Sequence, residues 1–238
     1  MRIEVHDFLL YNISRGENMN QKYVAIIGDI KNSKTIKNRD EFRKQFRDAI
    51  EYINEKYKDQ MAAKLVISSG DEFEGLFSDA HDILDIVFEL EKRIHPYKIR
   101  FGLGIGNVKT KIDYDNTLEI DGTSYHYARE MINFVKENET SYSTYVTNYA
   151  IKSTEDMGLV NSSLAMISIL KNSWSERQRQ VMEEFLDNDM SQMKTSEKLG
   201  ILQSSVSRAL KSSSFYNYMY SKNMVNAHIE RLVSDGWN

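Results

Sequence analysis

The chain contains no cysteine. That excludes a disulfide, a thiolate metal centre and a cysteine nucleophile, and it suits a reducing compartment, so the expected location is the cytoplasm. Proline is almost as scarce, Pro96 being the only one in 238 residues. Long apolar runs are missing too. No stretch of about 18 residues would cross a membrane, and no membrane partner is expected. The N-terminus does not read as a signal peptide, because Glu4, Asp7 and Glu17 interrupt it and the apolar stretch from Phe8 to Tyr11 is short. Residues 1–18 read either as an extension upstream of Met19 or as an ordered N-terminal strand. Neither charge sign dominates, the formal net charge being −4. From Ile169 onward nine Lys/Arg stand against eight Asp/Glu, so that portion is about +1 and the remainder −5. Any nucleic-acid contact would come from a local patch rather than a global field. The sequence shows no internal repeat, no low-complexity tract, no Zn-type His cluster and no Ser-His-Asp triad.

What is present alternates between two periods. Tyr23 to Gly28 is a continuous apolar run, which predicts a strand covered on both faces. Phe42, Phe46, Ile50 and Ile53 recur at steps of four, four and three, which predicts a helix over Asn38–Lys58 capped by Asn38 or Asp40. Lys64–Ser69 and Phe73–Phe77 flank a tight turn and read as a hairpin. Ser78 is positioned to cap a helix from Asp79 to about Ile94, closed by Pro96. Ile99–Gly106 reads as a strand whose glycines at 102, 104 and 106 share one face, so a neighbouring backbone or ligand is expected close by. A helix over Gly122–Lys136 and a last strand at Tyr145–Thr147 follow. Strands and helices alternating around a hairpin predict an α+β fold, a mixed sheet with helices on it. The first domain is expected over 19–168, and a helical one over 169–238.

The chemistry concentrates at Asp29 and Asp71. Each ends an apolar strand beside a glycine. If the first two strands lie side by side, both carboxylates reach one sheet edge and repel each other unless a cation sits between them. Mg²⁺ suits such a pair plus substrate phosphates, and Mn²⁺ serves likewise. The loop after Asp29 carries Lys31, Lys34, Lys37 and Arg39 into a helix N-terminus, where free amides favour a triphosphate. Glu74 alternates with Phe73 and is expected to face solvent.

Gly28-Asp29-Ile30 and Gly70-Asp71-Glu72-Phe73 resemble the metal-binding pair of class III nucleotidyl cyclases and GGDEF-type diguanylate cyclases. Arg100 to Gly106 is similar to their next strand. With the "GDIKNS" segment at Gly28–Ser33, the chain most resembles the SatD family. The resemblance implies a ferredoxin-like, cyclase-like palm, over roughly 20–135, that works as a homodimer. It implies metal ligation by Asp29, Asp71 and the Ile30 carbonyl, and catalytic roles for Asp29, Asp71, Glu72 and Arg129. Nucleotide contacts are expected from Lys31, Asn32, Ser33, Lys34, Gly70 and His126. Several positions depart from the pattern. Ser69 replaces the first glycine of GGDEF, so guanine recognition does not carry over. Ile67 stands where a base-selecting lysine belongs. His126 takes the place of the transition-state Asn, and Arg129 falls one residue early.

Beyond residue 169 the pattern resembles a helix-turn-helix. A helix from Trp174, capped by Ser173 or Ser175, precedes Met190–Leu199, Gly200 and Gln203–Leu210. Ser196 lies four residues before Gly200 and Val206 six after it, a spacing that lets two helices cross closely around Leu199, Ile201, Val206 and Leu210. DNA contacts are expected from Gln203, Ser204, Ser205, Ser207, Arg208 and Lys211. The alternative is a protein-contact module. Phe215, Tyr216, Tyr218, Met219 and Tyr220 form an aromatic cluster expected to pack or to join two copies. Two functions are consistent with these features: a palm that binds and transforms a nucleoside triphosphate, coupled to DNA, or a non-catalytic transcriptional regulator that uses the palm for sensing or dimerising.

Overall fold

The computed structural model describes residues 21–140 and 147–234. β1 (Tyr23–Ile30) leads to α1 (Arg39–Lys56), the hairpin of β2 (Met61–Ile67) and β3 (Glu72–Phe77), α2 (Ile83–Ile94) and β4 (Ile99–Gly106). Their spatial order β2-β3-β1-β4 is antiparallel throughout, the β-α-β-β-α-β ferredoxin-like arrangement. α3 (Thr123–Thr140) follows, and β5 (Tyr149–Lys152) joins β4 in parallel, which makes the sheet mixed. Five further helices complete the described residues: α4 (Gly158–Ser173), α5 (Glu176–Asp187), α6 (Gln192–Leu199), α7 (Gln203–Ser212) and α8 (Phe215–Ser234). No helix among them is long and apolar enough to cross a membrane.

β1 is apolar without alternation because both its faces are covered. Val24, Ile26 and Ile30 pack with α1 and α2, whereas Ala25 and Ile27 pack with α3. Asp29 shares the parity of Ala25 and Ile27 and therefore belongs to the α3 face. In α1, Asn38 accepts from the Glu41 N–H, and Phe42, Phe46, Ile50 and Ile53 are buried as their spacing predicts. Each such side chain contributes about 1.5–3 kcal/mol by leaving water. The β4 glycines make room for a helix backbone. A Cβ on Gly102 would lie 2.3 Å from the Ala128 carbonyl oxygen, and one on Gly104 2.0 Å from that of Ser124.

Several expectations change. β1 and β2 are not neighbours, because β3 folds back between them. β2 starts earlier, at Met61, and ends at Ile67. α2 starts at Ile83 rather than Asp79. Ser78 does not cap it, its hydroxyl donating instead to the Gln60 carbonyl, while the Asp79 carboxylate takes the His81 N–H. Tyr145 and Val146 lie outside the described residues, as do residues 1–18, and the last strand is found at Tyr149–Lys152.

α4 runs unbroken through residue 168, so the two portions expected from the sequence share a helix. The core is continuous across it, from Phe88 on α2 through Tyr218 and Ile229 on α8 to Val206 and Leu210 on α7. Polar bonds register the join. Asn226 accepts from the Leu84 N–H at 2.9 Å and donates to Asp85 at 2.8 Å, and Lys222 reaches Asp85 at 2.5 Å. α5 opens with a capping box of Ser175 and Gln178, α6 is capped by Ser191, and Gly200 ends α6 at φ 60°. Val206 and Leu210 are fully buried and Ser196 nearly so, as the spacing predicts. Of the aromatic cluster, Phe215 and Tyr218 are core, whereas Tyr216 and Tyr220 are exposed.

Candidate functional site

The two glycine-aspartate motifs meet through β3. The register sets Gly28 opposite Phe73 and Asp29 opposite Glu72. A Cβ on Gly28 would lie 2.1 Å from the Phe73 ring, so glycine there lets the ring cross the strand. Gly70 turns the hairpin at φ +73°, a conformation side chains resist. The Ile30 N–H donates to the Asp71 carbonyl at 2.9 Å, which ties the end of β1 to the hairpin tip.

The Asp29 carboxylate is almost buried and doubly paired. Arg100 Nη1 lies 2.6 Å from Oδ2, and Lys136 Nζ lies 2.9 Å from Oδ1. Arg100 also holds Glu139, through Nε at 2.7 Å and Nη2 at 2.5 Å. Lys31 bonds Glu139 and, at 2.7 Å, the Asn148 side chain. Glu72 takes Arg129 at 2.6 Å and Lys136 at 3.6 Å, and Arg129 reaches Glu74 at 3.3 Å. Asp29, Glu72, Glu74 and Glu139 are thus matched by Lys31, Arg100, Arg129 and Lys136. Burial pushes the Lys31 ammonium down despite Glu139. Burial alone would raise Glu139, but the bonds from Lys31 and Arg100 hold it below the usual carboxylate range. Glu74 is pushed up by burial against the pull of Arg129. It does not face solvent as expected, because Arg129 reaches over it from α3 and leaves its side chain only 13% exposed.

Asp71 looks elsewhere. Its carboxylate accepts from the Ser33 hydroxyl and borders a concavity of about 180 Å³. Ser33, Lys34, Arg39, Arg43, Ser69 and Gly70 line it, with Phe42 behind. Arg39 and Arg43 stand one turn apart on α1 and both line the same space, Arg39 also donating to the Lys34 carbonyl at 3.3 Å. The predicted site residues therefore divide. Ser33, Lys34, Gly70 and Asp71 come together at the concavity. Asn32 sits beside them in a left-handed conformation at φ 54°. Ile30 contributes backbone only, its side chain being buried in the core. Lys31 turns to the other face, with Asp29, Glu72 and Arg129. His126 is exposed at the start of α3, 3.2 Å from Asp121, and shares no partner with Arg129.

The sequence profile of the SatD family matches residues 23–229. The chain belongs to the SatD family. No curated protein matches it. Among solved structures it is similar to the adenylyl cyclase CyaB from P. aeruginosa, at 14% identity and a TM-score of 0.34, over 46% of this chain and 69% of that one. It is similar to the guanylate cyclase domain of RhGC from Catenaria anguillulae in complex with GTP, at 13% identity and a TM-score of 0.35, over 48% and 73%. A bacterial light-regulated adenylyl cyclase gives 13% identity and a TM-score of 0.36, over 55% and 75%.

In this SatD-family chain the donors at the strand ends fit a divalent ion by their chemistry. Asp29, Asp71 and the Ile30 carbonyl are hard oxygen donors. Lys136, an ammonium with 35% of its side chain exposed, already stands as a cation at Asp29. Among the described residues no group of three or more His, Cys, Asp or Glu is placed to hold a metal, so further ligands would be phosphate or water oxygens.

Reading the sequence missed Arg100, Lys136, Glu139 and Arg43. Arg100 had a visible signal, being the one charge in a strand of otherwise apolar residues and glycines. Arg43 had one as well, four residues beyond Arg39 on a predicted helix. On α7, Gln203, Ser204, Arg208 and Lys211 are exposed, and Ser205 and Ser207 are half-buried. Ser204, Ser207, Arg208 and Lys211 share a shallow groove.

Proposed function

We propose that this SatD-family chain binds a nucleoside triphosphate together with Mg²⁺ or Mn²⁺ where the end of β1, the β2–β3 hairpin and the start of α1 meet. The observation that carries this reading is the concavity beside Asp71, which sets Lys34, Arg39 and Arg43 around one carboxylate. Three cations there suit phosphate oxygens, and the carboxylate suits a metal that those oxygens also ligate. Asp71 would hold the ion at the concavity, and Asp29 and the Ile30 carbonyl, at the adjoining end of β1, would join it once Lys136 swings away from Asp29. When bound, it supplies charge neutralisation for phosphoryl or nucleotidyl transfer. Ser33 orients Asp71, and Gly70 lets the phosphates approach the hairpin backbone. Calorimetric titration with ATP and GTP, with and without Mn²⁺, tests the reading. Metal-dependent binding weakened at least about tenfold by Asp71→Asn and by the double change Arg39→Ala and Arg43→Ala is expected. Binding unchanged by both, or absent at about 1 mM nucleotide, would reject it.

A second reading, a regulator that senses nucleotide without transforming it, is favoured by the engagement of Arg129 with Glu72 and Glu74. Mass spectrometry of products after incubation with nucleotide and Mn²⁺ separates the two. The palm is proposed to work as a homodimer, checked by light scattering. The exposed Gln203, Ser204, Arg208 and Lys211 of α7, with Ser205 and Ser207, support a DNA-reading role for α6 and α7 as a helix-turn-helix. A mobility shift on genomic fragments at defined salt tests it. Loss of the shift on Arg208→Ala with Lys211→Ala is the expected result, and no shift at low salt would refute it.

A further inference from the structure

A second cavity, of about 300 Å³, lies between α2 and the pair α5 and α8. That is the size at which pockets begin to take small organic ligands. It shares no residue with the concavity at Asp71. One wall is aromatic. Trp174 and Tyr218 meet edge to face at 5.0 Å, and the Trp174 indole N–H donates to the Ser213 carbonyl at 2.9 Å, which fixes the ring. An aromatic face held in this way is a platform on which another flat ring stacks.

Most charges in the lining are matched. Lys171 pairs with Glu91 at 2.5 Å, Lys222 with Asp85 at 2.5 Å and Lys92 with Asp187 at 2.6 Å. Glu89 pairs with Arg93 at 2.8 Å and Lys56 lies over the Tyr57 ring at 5.0 Å, which leaves Arg179 and Glu183. They line the cavity one turn apart on α5, half-buried, with no side-chain hydrogen bond and no ion pair among the described residues. Burial pushes the Glu183 carboxyl up against the pull of Lys92, Arg179, His95 and Lys171, none of which hydrogen-bonds it, so a donor that reached it would supply the missing bond. A fork of N–H donors beside a carboxylate acceptor matches a ring edge that carries acceptors next to donors. Guanine has that edge: O6 and N7 accept, a pair arginine reads in two-point fashion, and the neighbouring N1–H and N2–H₂ donate.

We propose that this cavity is a binding site for a purine base, guanine in preference to adenine, stacked on Trp174, with Arg179 donating to O6 and N7 and Glu183 accepting from N1–H and N2–H₂. The chain has two tryptophans, so Trp237→Phe in the full-length protein leaves Trp174 as the only indole reporter. Titration of its emission with guanosine, adenosine and benzimidazole tests the site. Saturable quenching by guanosine is expected, with adenosine and benzimidazole each at least about tenfold weaker. Arg179→Met and Glu183→Gln should each weaken guanosine at least about tenfold while the unfolding midpoint and helix content hold, both positions being half-exposed on a helix. No saturable change at about 1 mM guanosine would overturn the proposal, as would equal quenching by all three probes that survives both changes. A guanosine response abolished by Asp71→Asn but not by Glu183→Gln would place the nucleoside at the hairpin instead, and overturn it equally.

Discussion

Arg100 crosses from β4 to Asp29 on β1 with its Nη1 2.6 Å from Oδ2, and the same guanidinium holds Glu139 on α3 through its other two nitrogens. One side chain thus joins two strands and a helix at the end of the sheet where both aspartate motifs lie. Arg100→Met would leave Asp29, only 9% exposed, with Lys136 alone, and Glu139 with Lys31 alone. Removing one partner of a buried pair strands the other charge, and the loss should be about 3 kcal/mol. Urea unfolding of the variant against the wild type reads it. A change below about 0.5 kcal/mol would mean that water replaces the guanidinium freely.

Glu139 makes stability pH-dependent. Lys31 and Arg100 hold its carboxyl below the usual range in the folded chain, whereas in the unfolded chain it titrates near about 4.3. A depressed folded value contributes stability that is present above the unfolded value and is lost as pH falls through the folded one. Glu139→Gln cannot lose that contribution. The variant should be less stable than the wild type at neutral pH, and the two should converge as pH falls below about 4. Denaturation midpoints over this range provide the check, and a difference constant with pH would assign Glu139 a purely packing role.

Gly104→Ala tests the glycine stripe of β4. The new Cβ would meet the Ser124 carbonyl oxygen at 2.0 Å and the Ala128 nitrogen at 2.5 Å. Both are helix backbone and cannot rotate away, so α3 must move off the sheet. The expected cost is about 1–3 kcal/mol, read as a lower unfolding midpoint. Because α3 carries Arg129 and Lys136, the ion pairs at Asp29 and Glu72 should loosen as well. Faster amide exchange over the N-terminal half of α3 would show it.

The fold was largely legible because its strands and helices follow two clear periods, as the unbroken run of β1 and the Phe42–Phe46–Ile50 stripe of α1 show. What failed was lateral order. Nothing in Lys64–Ser69 says that β3 will come between β2 and β1, because that order is set by how a hairpin folds back and not by any residue in it. The glycines of β4 announced a close approach, but whether by backbone or ligand was settled only by α3 lying on them. At the site, the aspartates were legible as the ends of apolar strands. Their partners were not, since Lys136 and Glu139 sit on a helix more than a hundred residues beyond Asp29, and helical charges usually face water. Lys31 illustrates the same limit. Its place in a basic loop matched three other cations, yet strand parity sends it to the opposite face.

Lys136 offers the sharpest test of the proposed metal position. Its ammonium lies 2.9 Å from Asp29 and 3.6 Å from Glu72, so it neutralises the carboxylate that a divalent ion would need. Two cations cannot share that oxygen without repulsion, and the long, partly exposed side chain can swing into water at little cost. Lys136→Met removes the competitor and leaves Arg100 in place. Mn²⁺ binding, followed by calorimetry or by the relaxation of solvent protons, should tighten roughly three- to tenfold in the variant, about 0.6–1.4 kcal/mol. The gain should shrink in the Asp29→Asn background, where the contested oxygen no longer carries charge. Because Lys136 is exposed by about a third, the substitution should change stability by less than about 1 kcal/mol, so a fold defect would not mask the result. Weaker Mn²⁺ binding in Lys136→Met would reverse the argument: the ammonium would then hold Asp29 in place for the ion rather than occupy its position.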